Sequence, residues 1–204
     1  MLRRPLLAAA VLALSATSLP AVPIEVENFS FELPGEGKPG FDLIPGWSGE
    51  GTGGGGAETG WGPTDGIYTG YCGGNMEVFQ LTGHTIVADE VYTLTIDARR
   101  TWQGPNITLG LYYDDGGTRV QMASLFHEFV GGDTTDMEEL NLVALANDAP
   151  DAIGNSLGIQ IMSGPPDAAW IGFDNVRLDV IPEPATLALL GFGALGLIRR
   201  RRRA

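Results

Sequence analysis

The chain has 204 residues, with 25 acidic and 12 basic side chains and a formal net charge of −13. That acidic balance excludes nucleic acid and anionic lipid headgroups as natural partners, because both repel such a surface. A single cysteine, Cys72, excludes an internal disulfide framework, and the length allows one domain with a sizeable core plus short terminal segments.

Residues 1–21 read as a secretory signal peptide with a short helix. Arg3 and Arg4 form the positive start, residues 6–16 carry no charge, and small residues follow, so that cleavage falls after Ser18 or after Ala21. The pair Arg3-Arg4 lacks the flanking residues of a twin-arginine signal, which makes the general secretion machinery the expected partner. Export into an oxidising compartment leaves Cys72 either buried or pairing between chains.

Residues 22–181 form the body. Of the basic residues it keeps only Lys38, Arg99, Arg100, Arg119 and Arg177, against acids that all lie between Glu25 and Glu183, so its charge is close to −20. Strand patterns dominate and no amphipathic helix of three turns is present. In residues 91–98, Tyr92, Leu94, Ile96 and Ala98 share one face and Thr93, Thr95 and Asp97 the other, the alternation of a half-buried strand. Similar runs occupy 24–33, 76–81, 107–113, 119–125, 138–145, 157–162 and 170–180, separated by turn signals such as Gly104-Pro105-Asn106 and Asp114-Asp115-Gly116-Gly117. Eight or nine strands spaced this way predict an all-β antiparallel β-sandwich. Residues 36–74, rich in glycine, read as one long irregular excursion that carries Trp47, Trp61, Tyr68 and Tyr71.

Two runs break their alternation. Ile24 and Val26 have one parity and Phe29, Phe31 and Leu33 the other, which predicts a β-bulge near Glu27-Asn28. Ile171 and Phe173 give way to Val176, Leu178 and Val180, which predicts another at Asp174-Asn175.

Catalytic patterns carry little. Gly154-Asn155-Ser156-Leu157-Gly158 fits a nucleophile elbow, but a turn precedes it and a strand follows where a helix is required. The glycines of residues 51–56 match a dinucleotide pattern without its strand-loop-helix setting and read as a flexible loop. His84 and His127 have no zinc spacing. Asp133, Asp136, Glu138 and Glu139 are acidic enough for a glycosidase pair, yet an acidic run between strands is ordinarily a solvated face. No catalytic residue is assigned.

Asn28-Phe29-Ser30-Phe31-Glu32, Ile44-Pro45-Gly46-Trp47 and Phe173-Asp174-Asn175-Val176-Arg177-Leu178 resemble the terminal strands of galactose-binding-like jelly rolls, which include carbohydrate-binding modules. The resemblance implies a structural calcium ion held by Glu32, Asp174 and backbone carbonyls, a set of hard oxygens that suits this ion. It also implies sugar recognition by aromatic faces, for which Trp61, Tyr68 and Trp102 are the candidates, whereas the place of Trp47 implies packing.

The chain ends in Pro182-Glu183-Pro184, fourteen uncharged residues at 185–198, then Arg199, Arg200, Arg201, Arg202 and Arg203. Fourteen helical residues reach roughly 21 Å, short of the roughly 30 Å hydrocarbon core, and the arginines orient such a short transmembrane helix with its end in the cytoplasm. This order resembles the PEP-CTERM sorting signal of Gram-negative bacteria, which is recognised by a membrane-embedded exosortase. It implies transient inner-membrane anchoring, removal of the tail from residue 182 onward, and delivery of the body to the cell surface or to a biofilm's exopolysaccharide matrix. The expected role is non-enzymatic binding of exopolysaccharide. A passive acidic matrix component, or a glycan-acting hydrolase, stands as an alternative.

Overall fold

The computed structural model describes residues 20–165 and 169–182. The expected signal helix, the transmembrane helix and the sorting residues Glu183, Pro184, Arg199, Arg200 and Arg201 lie outside the described residues, and Pro182 closes the compact unit formed by residues 21–182. Among the described residues no helix is long and apolar enough to cross a membrane.

Alternating apolar side chains need a second layer to cover them, and here two antiparallel sheets cover each other. The strands are β1 (Val22–Ile24), β2 (Ser48–Gly51), β3 (Gly54–Thr59), β4 (Tyr68–Gly73), β5 (Met76–Thr85), β6 (Val91–Trp102), β7 (Asn106–Asp115), β8 (Thr118–Glu128), β9 (Glu138–Leu145), β10 (Ser156–Ser163) and β11 (Trp170–Ile181). One sheet runs β3-β4-β11-β6-β9 with β1 also on β11, and the other runs β2-β5-β10-β7-β8. Tyr92, Leu94, Ile96, Leu142, Phe173 and Leu178 of the first sheet meet Val78, Leu109, Leu111, Ile159 and Ile161 of the second in one core. Cys72 lies inside it without a disulfide partner, and burial pushes its thiol up to about 12.

Three expectations need correction. The run 24–33 is a strand only to Ile24. Beyond it Asn28 and Phe31 adopt positive φ (49° and 61°), and the Asn28 side chain bonds both the N–H and the carbonyl of Leu33, so the parity break is a turn. The excursion 36–74 contains β2, β3 and β4. The glycines at 54–56, expected to be a loop, pair with Gly73, Cys72 and Tyr71, and at Gly56 a Cβ would stand 1.9 Å from the Lys38 carbonyl oxygen, so the close approach of the two backbones requires glycine. Ser156 opens β10, with no helix after it. The second predicted irregularity is present: the β11–β6 register shifts between Asp174 and Arg177, Asn175 has φ 50°, and the Phe29 carbonyl accepts the Val176 N–H there.

Candidate functional site

The outward residues of β6 continue past Asp97 to Arg99 and Thr101, and the strand ends at Trp102. Beside them on the same face, β11 contributes Gly172, in register with both Arg99 and Tyr71 of β4. Two connections lie over this face. The β3–β4 connection brings Trp61 onto Tyr71, with ring centroids 5.7 Å apart and planes 8° from parallel, and Tyr71 in turn meets Trp170 at 5.6 Å. The β8–β9 connection is fastened to the end of β6: Asp133 Oδ1 accepts from Arg100 Nε (3.0 Å) and Gln103 N (2.8 Å), and the Thr134 carbonyl accepts from Arg99 (2.8 Å). Between the two connections opens a depression of about 560 Å³ lined by Trp61, Arg99, Thr101, Trp102, Asp133 and Thr134.

Trp61 and Trp102 therefore share one concavity although 41 positions separate them in sequence. Trp102 is 56 % exposed, unusual for a large aromatic side chain. Trp61 is half-buried, donates its indole N–H to Glu58 (3.2 Å) and carries the Arg99 guanidinium 5.8 Å from its ring centre. Tyr68 is placed elsewhere: its ring is buried and its hydroxyl donates to the Gly35 carbonyl (2.8 Å). Trp47 is also buried, against Phe31, with its indole N–H on the Asn28 carbonyl. Tyr112 and Tyr113 are buried as well.

Glu32 and Asp174 are both drawn to the β3–β4 connection. Glu32 Oε1 accepts the N–H groups of Ile67 and Tyr68, each at 2.8 Å, and Gly66 just before them, at φ +68°, leaves the carboxylate room that a Cβ would fill. Asp174 Oδ2 accepts Thr64 N (2.7 Å) and Asp65 N (3.0 Å), and its Oδ1 accepts Asn175 N (2.7 Å). The Thr64 hydroxyl donates to Asp97 (2.6 Å), which stands opposite Asp174 in the ladder and is held by Arg177 (3.2 Å). Burial lifts the Asp174 carboxyl to about 6 against the opposing pull of these donors. Calcium needs six to eight oxygens. The groups that face Glu32 and Asp174 here are largely N–H donors rather than the oxygens such an ion takes.

Other surfaces offer less. The larger hollow beside β1 and β5, about 630 Å³, has His84 and Leu81 in its wall but no tryptophan or tyrosine. On the outer face of the second sheet Arg119 lies 3.7 Å over the Phe79 ring and is tied to Glu50 (2.7 Å) and Glu77 (2.9 Å).

The sequence signal for the missed residues Arg99 and Thr101 was the β6 alternation itself, extended two steps beyond Asp97. The burial of Arg99 was not signalled, since it comes from connections distant in sequence.

A family model of the PEP-CTERM protein-sorting motif matches residues 180–203, and a model of the HpiC1 cyclase family matches residues 22–179. No curated protein matches. Among solved structures, a Stig cyclase, Fisc, from Fischerella sp. TAU in complex with (3Z)-3-(1-methyl-2-pyrrolidinylidene)-3H-indole superposes with a TM-score of 0.65 at 22 % identity, covering 81 % of this chain and 100 % of that one. TmCBM61 in complex with β-1,4-galactotriose gives 0.50 at 14 % identity, covering 76 % and 97 %. The CBM22-1-GH10 modules of Clostridium thermocellum xylanase 10B, complexed with xylohexaose, give 0.50 at 13 % identity, covering 80 % and 30 %. At these identities the structures establish a shared jelly-roll fold. The sorting motif implies export and processing at the membrane, and the match over residues 22–179 makes the chain a member of the HpiC1 cyclase-like family.

Proposed function

We propose that the exported body binds carbohydrate in the Trp61–Trp102 depression without turning it over. The observation that carries this reading is Trp102, more than half exposed beside a second tryptophan that Tyr71 backs by stacking. A rigid aromatic wall with a few convergent polar groups, here Arg99, Thr101 and Asp133, is what a small-molecule site requires. The glycan complexes among its fold relatives support the reading by analogy only. Affinity electrophoresis of the processed protein in gels containing its host's exopolysaccharide tests it. Retardation is expected, and Trp102→Ala is expected to weaken it by about 30-fold, the equivalent of about 2 kcal/mol for an aromatic anchor. Retardation unchanged in both Trp102→Ala and Trp61→Ala sinks the assignment.

Family membership favours a second reading, a cyclase. A cyclisation started by proton transfer needs an acid open to the substrate. Asp133 lines the depression but is engaged by Arg100 and Gln103, and Asp174 is fully buried under Thr64 and Asp65. Chromatographic detection of a cyclised product from an indole-bearing substrate, lost in Asp133→Asn or Asp174→Asn, would establish that reading over the first.

A further inference from the structure

A sheet edge without a partner strand is a template for pairing with another chain, and folded proteins cover or distort such edges. Two edges of this body are managed in that way. Lys38 and Ala57 exchange both backbone hydrogen bonds on the outer side of β3. β8 carries an extra residue, Met122, between the partners of Leu111 and Tyr112, a bulge that twists the strand. The edge of β5 differs. β2 pairs with it only along Met76–Phe79, and β5 continues from Gln80 to Thr85 with β10 on one side and, among the described residues, no strand on the other. That open stretch runs for roughly 20 Å at about 3.3 Å per residue.

β1 brings a second open edge to the same place. It pairs with β11 from Val22 to Ile24 and, among the described residues, has no strand on its outer side. The hollow of about 630 Å³ lies between these two edges, with residues 80–84 along one wall and residues 22–25 along the other. Gln80 bounds it, its amide exchanging hydrogen bonds with the backbone of Glu27 (2.8 and 2.9 Å). A Cβ built on Gly83 would meet nothing within 4 Å, so the wall is open there. The lining is apolar and acidic. Val22 and Leu81 are each about half exposed, and the exposed carboxylates of Glu25 and Glu27 form no ion pair among the described residues.

We infer that this slot takes an extended segment of a basic partner protein, which adds to β5 as a strand beyond the end of β2. In such strand addition the main-chain groups of the edge supply affinity, and the side chains on either hand choose the sequence. Apolar side chains of the segment rest on Val22, Ile24 and Leu81, and the Lys or Arg side chains between them reach Glu25 and Glu27. Charge decides against a second copy of this chain as the occupant, because a body close to −20 would set acid against acid. The slot shares no lining residue with the Trp61–Trp102 depression, so the inference stands apart from the carbohydrate reading.

Titration of the isotope-labelled, processed protein with the end-blocked pentapeptide Val-Lys-Val-Lys-Val tests this by NMR. The backbone amide signals of residues 81–85 are expected to move saturably and their exchange with solvent to slow. End-blocked Val-Glu-Val-Glu-Val is expected to leave them in place. So is the lysine peptide methylated on every backbone nitrogen, which keeps the charge and cannot build a ladder. The double variant Glu25→Gln/Glu27→Gln leaves both edges intact and is expected to weaken binding about fivefold, the equivalent of about 1 kcal/mol for two exposed ion pairs. If the lysine peptide moves none of these signals, the inference falls. An equal response to the glutamate peptide, or unchanged affinity in the double variant, overturns the choice of a basic partner. An equal response to the methylated peptide overturns strand addition, and shifts confined to β8 place the peptide on that edge instead of in the slot.

Discussion

Asp174 makes the stability of the body depend on pH in an uncommon direction. Its carboxyl is held at about 6 in the fold against 3.8 as the reference, chiefly by burial. The folded state therefore binds more protons than the unfolded state between these values, and stability falls as pH rises through them. The gap of roughly 2 pKa units corresponds to about 3 kcal/mol at 1.36 kcal/mol per unit. Below about pH 4 this contribution is absent as a penalty, and above about pH 6 it applies in full. Asp174→Asn removes the titration. It also sets an amide among the N–H groups of Thr64, Asp65 and Asn175, a loss of hydrogen bonding that does not vary with pH. The difference in unfolding free energy between the two proteins, measured by urea denaturation from pH 4 to pH 7, should thus shift by about 3 kcal/mol in favour of the variant as pH rises. A difference that stays constant across that range, or moves in favour of the wild type, refutes the assignment of a raised pKa to this buried carboxyl.

With the carboxylates of Glu32 and Asp174 already accepting amides, excess chelator should leave the thermal midpoint within about 1 °C. A ligand at a hundred times its dissociation constant contributes about 2.7 kcal/mol, so a fall of several degrees would return the pair to calcium. Tyr68→Phe should cost about 1 kcal/mol through the lost bond to the Gly35 carbonyl, lowering the midpoint by about 2–4 °C, and should leave polysaccharide retardation unchanged; weakened retardation would restore Tyr68 to the site. Gly56→Ala should destabilise by about 2 kcal/mol or more because its Cβ would meet the Lys38 carbonyl, whereas Gly83→Ala, with nothing within 4 Å, should stay within about 0.5 kcal/mol. Equal effects in urea denaturation would contradict the close approach at Gly56.

What was legible in the sequence follows from where side chains carry the pattern. The run 138–145 coincides with β9, and the face of Tyr92, Leu94, Ile96 and Ala98 is buried as its period requires. The same rule failed at 54–56, where three glycines have no side chains to alternate and the strand is defined by its pairing with β4. At residues 24–33 alternating apolar side chains suggested a strand, but the Asn28 side chain closes a local turn that competes with the ladder.

The site shows a further limit. Trp61 and Trp102 were readable only as aromatic candidates, one in the glycine-rich excursion and one after the β6 run. Their meeting depends on the β3–β4 connection crossing β11 and β6, and that crossing is held by Glu32 and Asp174 through four backbone amides. The two acids singled out at opposite ends of the body thus converge, and what stands between them is the peptide segment that presents Trp61. A carboxylate that accepts several amides and one that ligates an ion look alike in sequence, since both require an acid on a terminal strand. Only the identity of the atoms opposite, N–H groups here, separates the two. The same reasoning applies to Arg99: its place in the outward row of β6 was readable, but its burial arises from two connections that cover it, through Trp61 and the Thr134 carbonyl, and from Gly172, whose missing side chain leaves it room.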